Sequence, residues 1–163
     1  MFWVALGHAC VALAEQLPVR VYTVADGLSQ DAISDIEWDP SGFLWFCTTD
    51  GLSRFDGYEF TIYGRGDGLT GNLVTDLVIT RSGQYWVAAS PGGLFRIDVA
   101  AALAGGVGLV GARDPAGSSA RPFFVASGAS ELPSIYRLFE TCAGATLCGS
   151  NRGLFRLERE GEL

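Results

Sequence analysis

The sequence predicts an all-β protein assembled from repeated, four-stranded antiparallel units. Three observations lead there. The first is recurrence: DGLSQDAISDI at residues 26–36 returns as DGLTGNLVTDL at residues 67–77, and self-similarity at a period of about 40 residues marks a repeat architecture. The second is composition: 22 glycines and 12% aromatics in 163 residues suit many short strands joined by tight turns. The third is turn chemistry, with Asp-Pro-Ser-Gly at 39–42 and Asp-Gly at 50–51 and 56–57 breaking the chain at hairpin intervals.

Each unit divides in the same way. In the first copy, residues 32–38, 43–48, 52–55 and 58–63 alternate or run apolar at strand length, and the turn signals fall between them. Pro40 presets φ at the second position of its turn and Gly42 closes it. The second copy follows in register. Gly83 and Trp86 lie 41 residues after Gly42 and Trp45, and after a single insertion Leu94, Arg96 and Asp98 lie 42 after Leu52, Arg54 and Asp56. A third, degenerate copy has Ile135 and Leu138 nine and six residues before Gly144, as Ile33 and Ile36 stand before Gly42 and Val74 and Leu77 before Gly83. There Leu147 replaces the tryptophan, and Leu132-Pro133 replaces the Gly-Leu opening.

Four strands in about 41 residues is the size of a propeller blade. The expectation is therefore a partial β-propeller of about three four-stranded antiparallel blades, incomplete as a closed ring. Residues 15–98 form the first two blades. Residues 99–120 read as an inserted Ala/Gly/Ser-rich loop, with Asp98 capping a helical turn at its start. Residues 121–163 form the third blade. Residues 1–14, MFWVALGHACVALA, read as a truncated signal peptide ending in Ala-Leu-Ala; they are too short to span a membrane.

Several function classes are excluded. A net charge of −7 with only 11 Lys and Arg, none clustered, argues against nucleic acid as a partner. His8 is the only histidine and falls in the leader, so no Ser-His-Asp triad and no His/Cys zinc site can form. Cys10, Cys47, Cys142 and Cys148 contain no CxxC pair. Cys142 and Cys148 are near enough in sequence to pair, but the turn position of Cys142 favours free thiols. No catalytic, cofactor or metal residue is assigned, and the ligand-binding residues are unknown.

Individual residues separate into repeated and unrepeated. The signature positions are Gly27, Leu28, Gly42, Trp45, Gly51, Leu52, Arg54 and Asp56 in copy one. Gly68, Leu69, Gly83, Trp86, Gly93, Leu94, Arg96 and Asp98 follow in copy two, and Gly144, Gly153, Leu154 and Arg156 in copy three. Repetition favours structural roles. The indoles of Trp45 and Trp86 read as wedges between blades rather than sugar platforms. Asp26, Asp50 and Asp67 read as turn caps rather than paired catalytic carboxylates. Arg54, Arg96 and Arg156 read as partners of turn carboxylates such as Asp56 or Asp98, with an anion-binding ring as the alternative. Glu37, Tyr63 and Arg65 do not repeat and are the better ligand candidates.

Gly27-Leu28-Ser29, Ile33, Ile36, Ser41-Gly42-Phe43-Leu44-Trp45, Gly51-Leu52-Ser53-Arg54-Phe55-Asp56-Gly57 and Phe60 together resemble the two-component regulator propeller repeat. The resemblance covers residues 21–98 and, more weakly, 131–157; Cys47 and Ala89 depart from it where the family has Gly after Trp-x. It implies a non-enzymatic, ligand-sensing part of a longer periplasmic receptor, a histidine kinase or diguanylate cyclase, anchored in the inner membrane and dimeric at full length. A small-molecule or glycan signal, the remaining blades and an output domain are the partners implied. The alternatives are an exported propeller enzyme acting on glycans and a protein-interaction propeller.

Overall fold

A computed structural model describes residues 17–67, 69, 71–91, 93–97, 109–110, 112–113, 120–121 and 133–157. The leader, Gly68, and the helical turn expected at Asp98 lie outside the described residues. Blade 1 is β1 (Ile33–Trp38), β2 (Leu44–Thr48), β3 (Gly51–Phe55) and β4 (Phe60–Tyr63), hydrogen-bonded in chain order. Blade 2 is β5 (Leu73–Ile79), β6 (Tyr85–Ser90), β7 (Gly93–Ile97) and β8 (Leu109–Val110). The strands β9 (Ala112–Arg113) and β10 (Ala120–Arg121) pair as a hairpin, and blade 3 consists of β11 (Ile135–Glu140), β12 (Thr146–Ser150) and β13 (Gly153–Leu157). The fold is all-β, antiparallel and bladed. Within residues 99–120, read from composition as a loop, the chain supplies the fourth strand of blade 2, because β8 pairs with Arg96 and Ile97. A two-residue strand carries no periodicity for composition to reveal.

The phrase that recurs in sequence folds the same way twice. Thr23 caps the 3-10 turn Val24–Asp26 reciprocally: its hydroxyl accepts from the Ala25 N–H, and Asp26 Oδ2 accepts from the Thr23 N–H at 2.8 Å. Asp67 Oδ2 accepts from the Gly64 N–H, also at 2.8 Å. The Leu28 and Leu69 amides close the two turns onto Thr23 O and Gly64 O, which buries both leucines. At Asp50 a different residue holds the turn: the Thr48 hydroxyl accepts from the Asp50 N–H and donates to Gly51 O.

Between the first two strands of every blade, the turn glycine donates to the carbonyl three residues earlier, Gly42 to Asp39, Gly83 to Thr80 and Gly144 to Thr141. Those glycines have φ of 94°, 78° and 81°, a left-handed conformation that side chains resist. The polar residue that opens each turn also braces it. Asp39, Thr80 and Thr141 side chains accept from the amides of Phe43, Gln84 and Ala145 respectively.

The core lies between blades, as stacked sheets require. Trp45, Cys47, Leu52 and Tyr63 of blade 1 meet Val74, Leu77, Val87 and Phe95 of blade 2. Ala88 and Leu94 of blade 2 meet Ile135, Leu138 and Cys148 of blade 3. Register explains the order: Leu77 and Leu138 occupy one position of the repeat and insert against the preceding blade, whereas Ile36, at the same position of blade 1, is exposed. Phe139 and Leu154 are likewise exposed on blade 3.

Candidate functional site: charged groups on the innermost strands

The first strands of the three blades come together at one side of the assembly. β5 packs against β1 and β2, and β11 packs against β5 and β6; strands that converge in this way are the innermost ones of a radial array. Each carries a bulge at the same place, where register shifts between Ile33 and Asp35, Val74 and Asp76, and Ile135 and Arg137. The extra residue is Ser34, Thr75 or Tyr136. Ser34 Oγ donates to Val74 O of the next blade at 2.6 Å and reaches Cys47 O in its own. Thr75 Oγ1 repeats the device, donating to Ile135 O at 2.6 Å and reaching Ala88 O. A bulge re-aims the residue that follows it, and the residues that follow are Asp35, Asp76 and Arg137.

These three meet. Arg137 Nη1 lies 3.6 Å from Asp76 Oδ1 and 4.0 Å from Asp35 Oδ1. Asp76 is buried, and its Oδ2 accepts from the Leu138 N–H of blade 3 at 2.5 Å while Oδ1 accepts from its neighbour Leu77. The Asp76 carboxyl is pushed up to about 6, first by burial and then by Asp35, against the lowering effect of the Leu138 hydrogen bond and Arg137. Glu37, two residues along β1, is also raised by burial and by Asp35. Cys47 pairs across the sheet with Asp35. Its thiol is held protonated by burial and then by the surrounding carboxylates. The site is an acidic pair under an arginine whose side chain is 68% exposed, so it opens toward solvent through Arg137.

Of the unrepeated candidates, the structure brings only Glu37 to this face. Tyr63 is buried, stacked on Trp45 with ring centroids 5.6 Å apart, and Arg65 donates through Nε to Asn72. Asp35, Asp76 and Arg137 were not singled out by sequence. The signal was present: aspartate stands seven residues before the turn glycine in copies one and two, and arginine takes its place in copy three.

The signature residues occupy the blade junctions and turns. Trp45 is fully buried between blades 1 and 2; its Nε1 donates to Asp39 Oδ2 at 2.9 Å, and its ring meets Tyr85 edge-on. Trp86 is partly buried beside the second cluster. Arg54 lies over the Phe43 ring at 4.7 Å and the Trp45 ring at 5.9 Å, a cation–π contact. Its charge is a minor contributor to the low pKa of Asp56, after the amides of Glu59 and Tyr58 that bind that carboxylate. Cys47, Cys142 and Cys148 are free thiols. Among the described residues no group of three or more His, Cys, Asp or Glu could hold a metal ion, and no helix is long and apolar enough to cross a membrane.

Repeated antiparallel sheets that pack face to face through their first strands define a blade of a propeller-type protein. The model of the family described as two component regulator propeller matches residues 27–50. Histidine kinase P4 of Formosa agariphila is 52% identical over 44 residues, which is 27% of this chain and 3% of that protein. Two solved structures from B. thetaiotaomicron share the fold. The extracellular domain of a one component system matches with a TM-score of 0.59 and 15% identity, over 90% of this chain and 17% of its own. The extracellular domain of a hybrid two component system matches with a TM-score of 0.60 and 17% identity, over 87% and 18%. The chain thus spans less than a fifth of each of these relatives.

Proposed function

We propose that this chain is the sensing propeller part of a bacterial signal-transduction receptor, non-enzymatic in itself, lying in the periplasm and presenting its innermost strands to an extracytoplasmic signal. The observation that carries this reading is the convergence of Asp35, Asp76 and Arg137, one residue from each blade, on the face where the first strands meet. A site built from several blades responds to how the blades sit relative to one another, which is what a receptor must relay. The likeness to extracellular domains of one and two component systems supports it.

The signal in this reading is a small molecule or a glycan, and the partners are further blades and an output domain. The exposed apolar faces support further blades: Ile36 stands where Leu77 and Leu138 are buried, and Leu154 stands where Leu52 and Leu94 are buried. Sequencing the genomic DNA that follows the codon for Leu163 is the test. Additional repeats, a membrane helix and a kinase or cyclase core are expected; a stop codon followed by unrelated genes would overturn the receptor reading.

A further inference from the structure

One feature of the axial site stays unexplained by packing: Asp35 Oδ2 is buried and has no hydrogen-bond donor. A buried carboxylate oxygen without a donor is costly. Every other carboxylate oxygen in the site has an opposing positive or donor group. Asp35 Oδ1 has Arg137 at 4.0 Å, Asp76 Oδ1 has the Leu77 amide and Arg137, and Asp76 Oδ2 has the Leu138 amide. What the Asp35 carboxyl meets across the junction is the Asp76 carboxyl: both lie under the same Arg137 nitrogen, at 4.0 and 3.6 Å, and Asp35 raises the proton affinity of Asp76. Two carboxylates so placed cannot both ionise without a large mutual penalty, and a single proton between them satisfies both.

We propose that Asp35 and Asp76 share one proton across the junction of blades 1 and 2, and that this pair, capped by Arg137 from blade 3, makes the seating of the three blades depend on the pH outside the cell. The extracytoplasmic consequence rests on the receptor reading above; the shared proton does not. The groups that face the pair are Glu37 on its own strand β1, the neutral Cys47 thiol on β2, and Arg137 on β11. With the proton in place, Asp35 and Asp76 bond each other while Asp76 holds the Leu138 amide, so blades 1, 2 and 3 are joined in series. When the proton leaves, two carboxylates and nearby Glu37 repel across the first junction. Arg137, mostly in water, compensates only weakly.

The sign follows from which state holds the proton. The ordinary value for Asp76 is 3.8 and the folded value is about 6, so between those pH values the folded chain keeps a proton that the unfolded chain releases. This contribution to stability is complete below about pH 4, declines as pH rises toward 6, and is lost above it. A displacement of about two units corresponds to roughly a hundredfold change in the folding equilibrium constant.

The test uses the whole 163-residue chain. Carboxyl carbon NMR of the parent, titrated from pH 3 to 8, is expected to show Asp76 titrating near 6. Asp76 titrating in the ordinary carboxylate range would overturn the proposal. In urea denaturation, Asp35→Asn supplies a permanent donor to Asp76 and removes one charge, so its stability relative to the parent is expected to rise by up to about tenfold in equilibrium constant between pH 5 and 7.5. A difference that does not change with pH would also overturn it. Arg137→Met is expected to move the apparent value of the pair further up; no movement would remove Arg137 from the device. A shared proton in a chain whose gene continues into no receptor would sink the sensor reading alone, and ordinary titration in a receptor would sink this proposal alone.

Discussion

Replacing Asp39 with alanine should destabilise the protein by about 3–5 kcal/mol, the sum of a few hydrogen bonds lost from one buried carboxylate. Asp39 is almost wholly buried and accepts from the Ser41 N–H at 2.8 Å, the Phe43 N–H at 3.0 Å and Trp45 Nε1 at 2.9 Å. It also acts across the blade junction: together with burial, which is the larger cause, its charge and hydrogen bond push the Tyr85 phenol up to about 12. The consequences of removing it are unequal. The Ser41 amide is near solvent and Phe43 is half-buried, so water can replace the carboxylate there at about 0.5–1 kcal/mol each. Trp45 is 0% exposed, so its indole N–H is left without any partner, which costs about 2–3 kcal/mol. Asp39→Asn separates these contributions, since the amide oxygen can still serve the turn while its NH2 faces the indole N–H, donor against donor. A loss of about 2 kcal/mol is expected for it. Urea denaturation followed by circular dichroism measures both, and a double-mutant cycle with Trp45→Phe should return a coupling of at least about 1.5 kcal/mol. A cost below about 1 kcal/mol for Asp39→Ala, or no coupling to Trp45, would refute the claim that this carboxylate fixes the wedge.

Equivalent positions should not be equivalent in energy. Leu77→Ala is expected to cost about 3–4 kcal/mol because Leu77 is 1% exposed between blades, and Ile36→Ala under about 1 kcal/mol because Ile36 is 54% exposed; comparable losses in urea midpoint would contradict the blade register. Thiol reactivity gives an independent check. In a Cys10→Ser chain at pH 8, a disulfide reagent such as dithiobis-nitrobenzoate should modify only exposed Cys142 rapidly. Cys47 and Cys148 should wait for unfolding, since burial excludes the reagent and pushes the Cys148 thiol up to about 11.

The parts of the fold that could be read from sequence are those where one residue type has one conformational reason. Gly42, Gly83 and Gly144 adopt the positive φ that their turns need, and counting back from them locates the apolar knobs Ile33, Val74 and Ile135. The bulges could not be read this way. Ser34, Thr75 and Tyr136 each add one residue to a strand, and an added residue only shifts the alternation by one step, which looks like a slightly longer strand. β8 escaped for the opposite reason, being too short to show a period. The axial site was hidden by a rule that holds elsewhere in the chain. Repeated polar residues such as Asp26 and Asp67 do cap turns, so the recurrence of Asp35 and Asp76 gives the sequence no sign that sets them apart.

Radial geometry explains why that rule fails at the axis. On outer strands, equivalent residues of successive blades are separated by a sheet, as Leu52 in the first inter-blade cluster and Leu94 in the second. On innermost strands the equivalents touch. Three aspartates at this position would place three carboxylates together with no cation, and their mutual repulsion would act directly on the blade junctions. Arginine in the third copy replaces a third negative charge with a positive one that reaches back 3.6 Å to Asp76 and 4.0 Å to Asp35. The hydroxyl at the preceding position obeys the same constraint. Ser34 and Thr75 each bond a carbonyl of the following blade, and the side chain is small because the next strand lies so close. Divergence among copies at positions that face one another is therefore where a repeat stops being scaffold, and in this chain it marks residues 34–37, 75–76 and 136–137 as the segment in which the blades can act on one another.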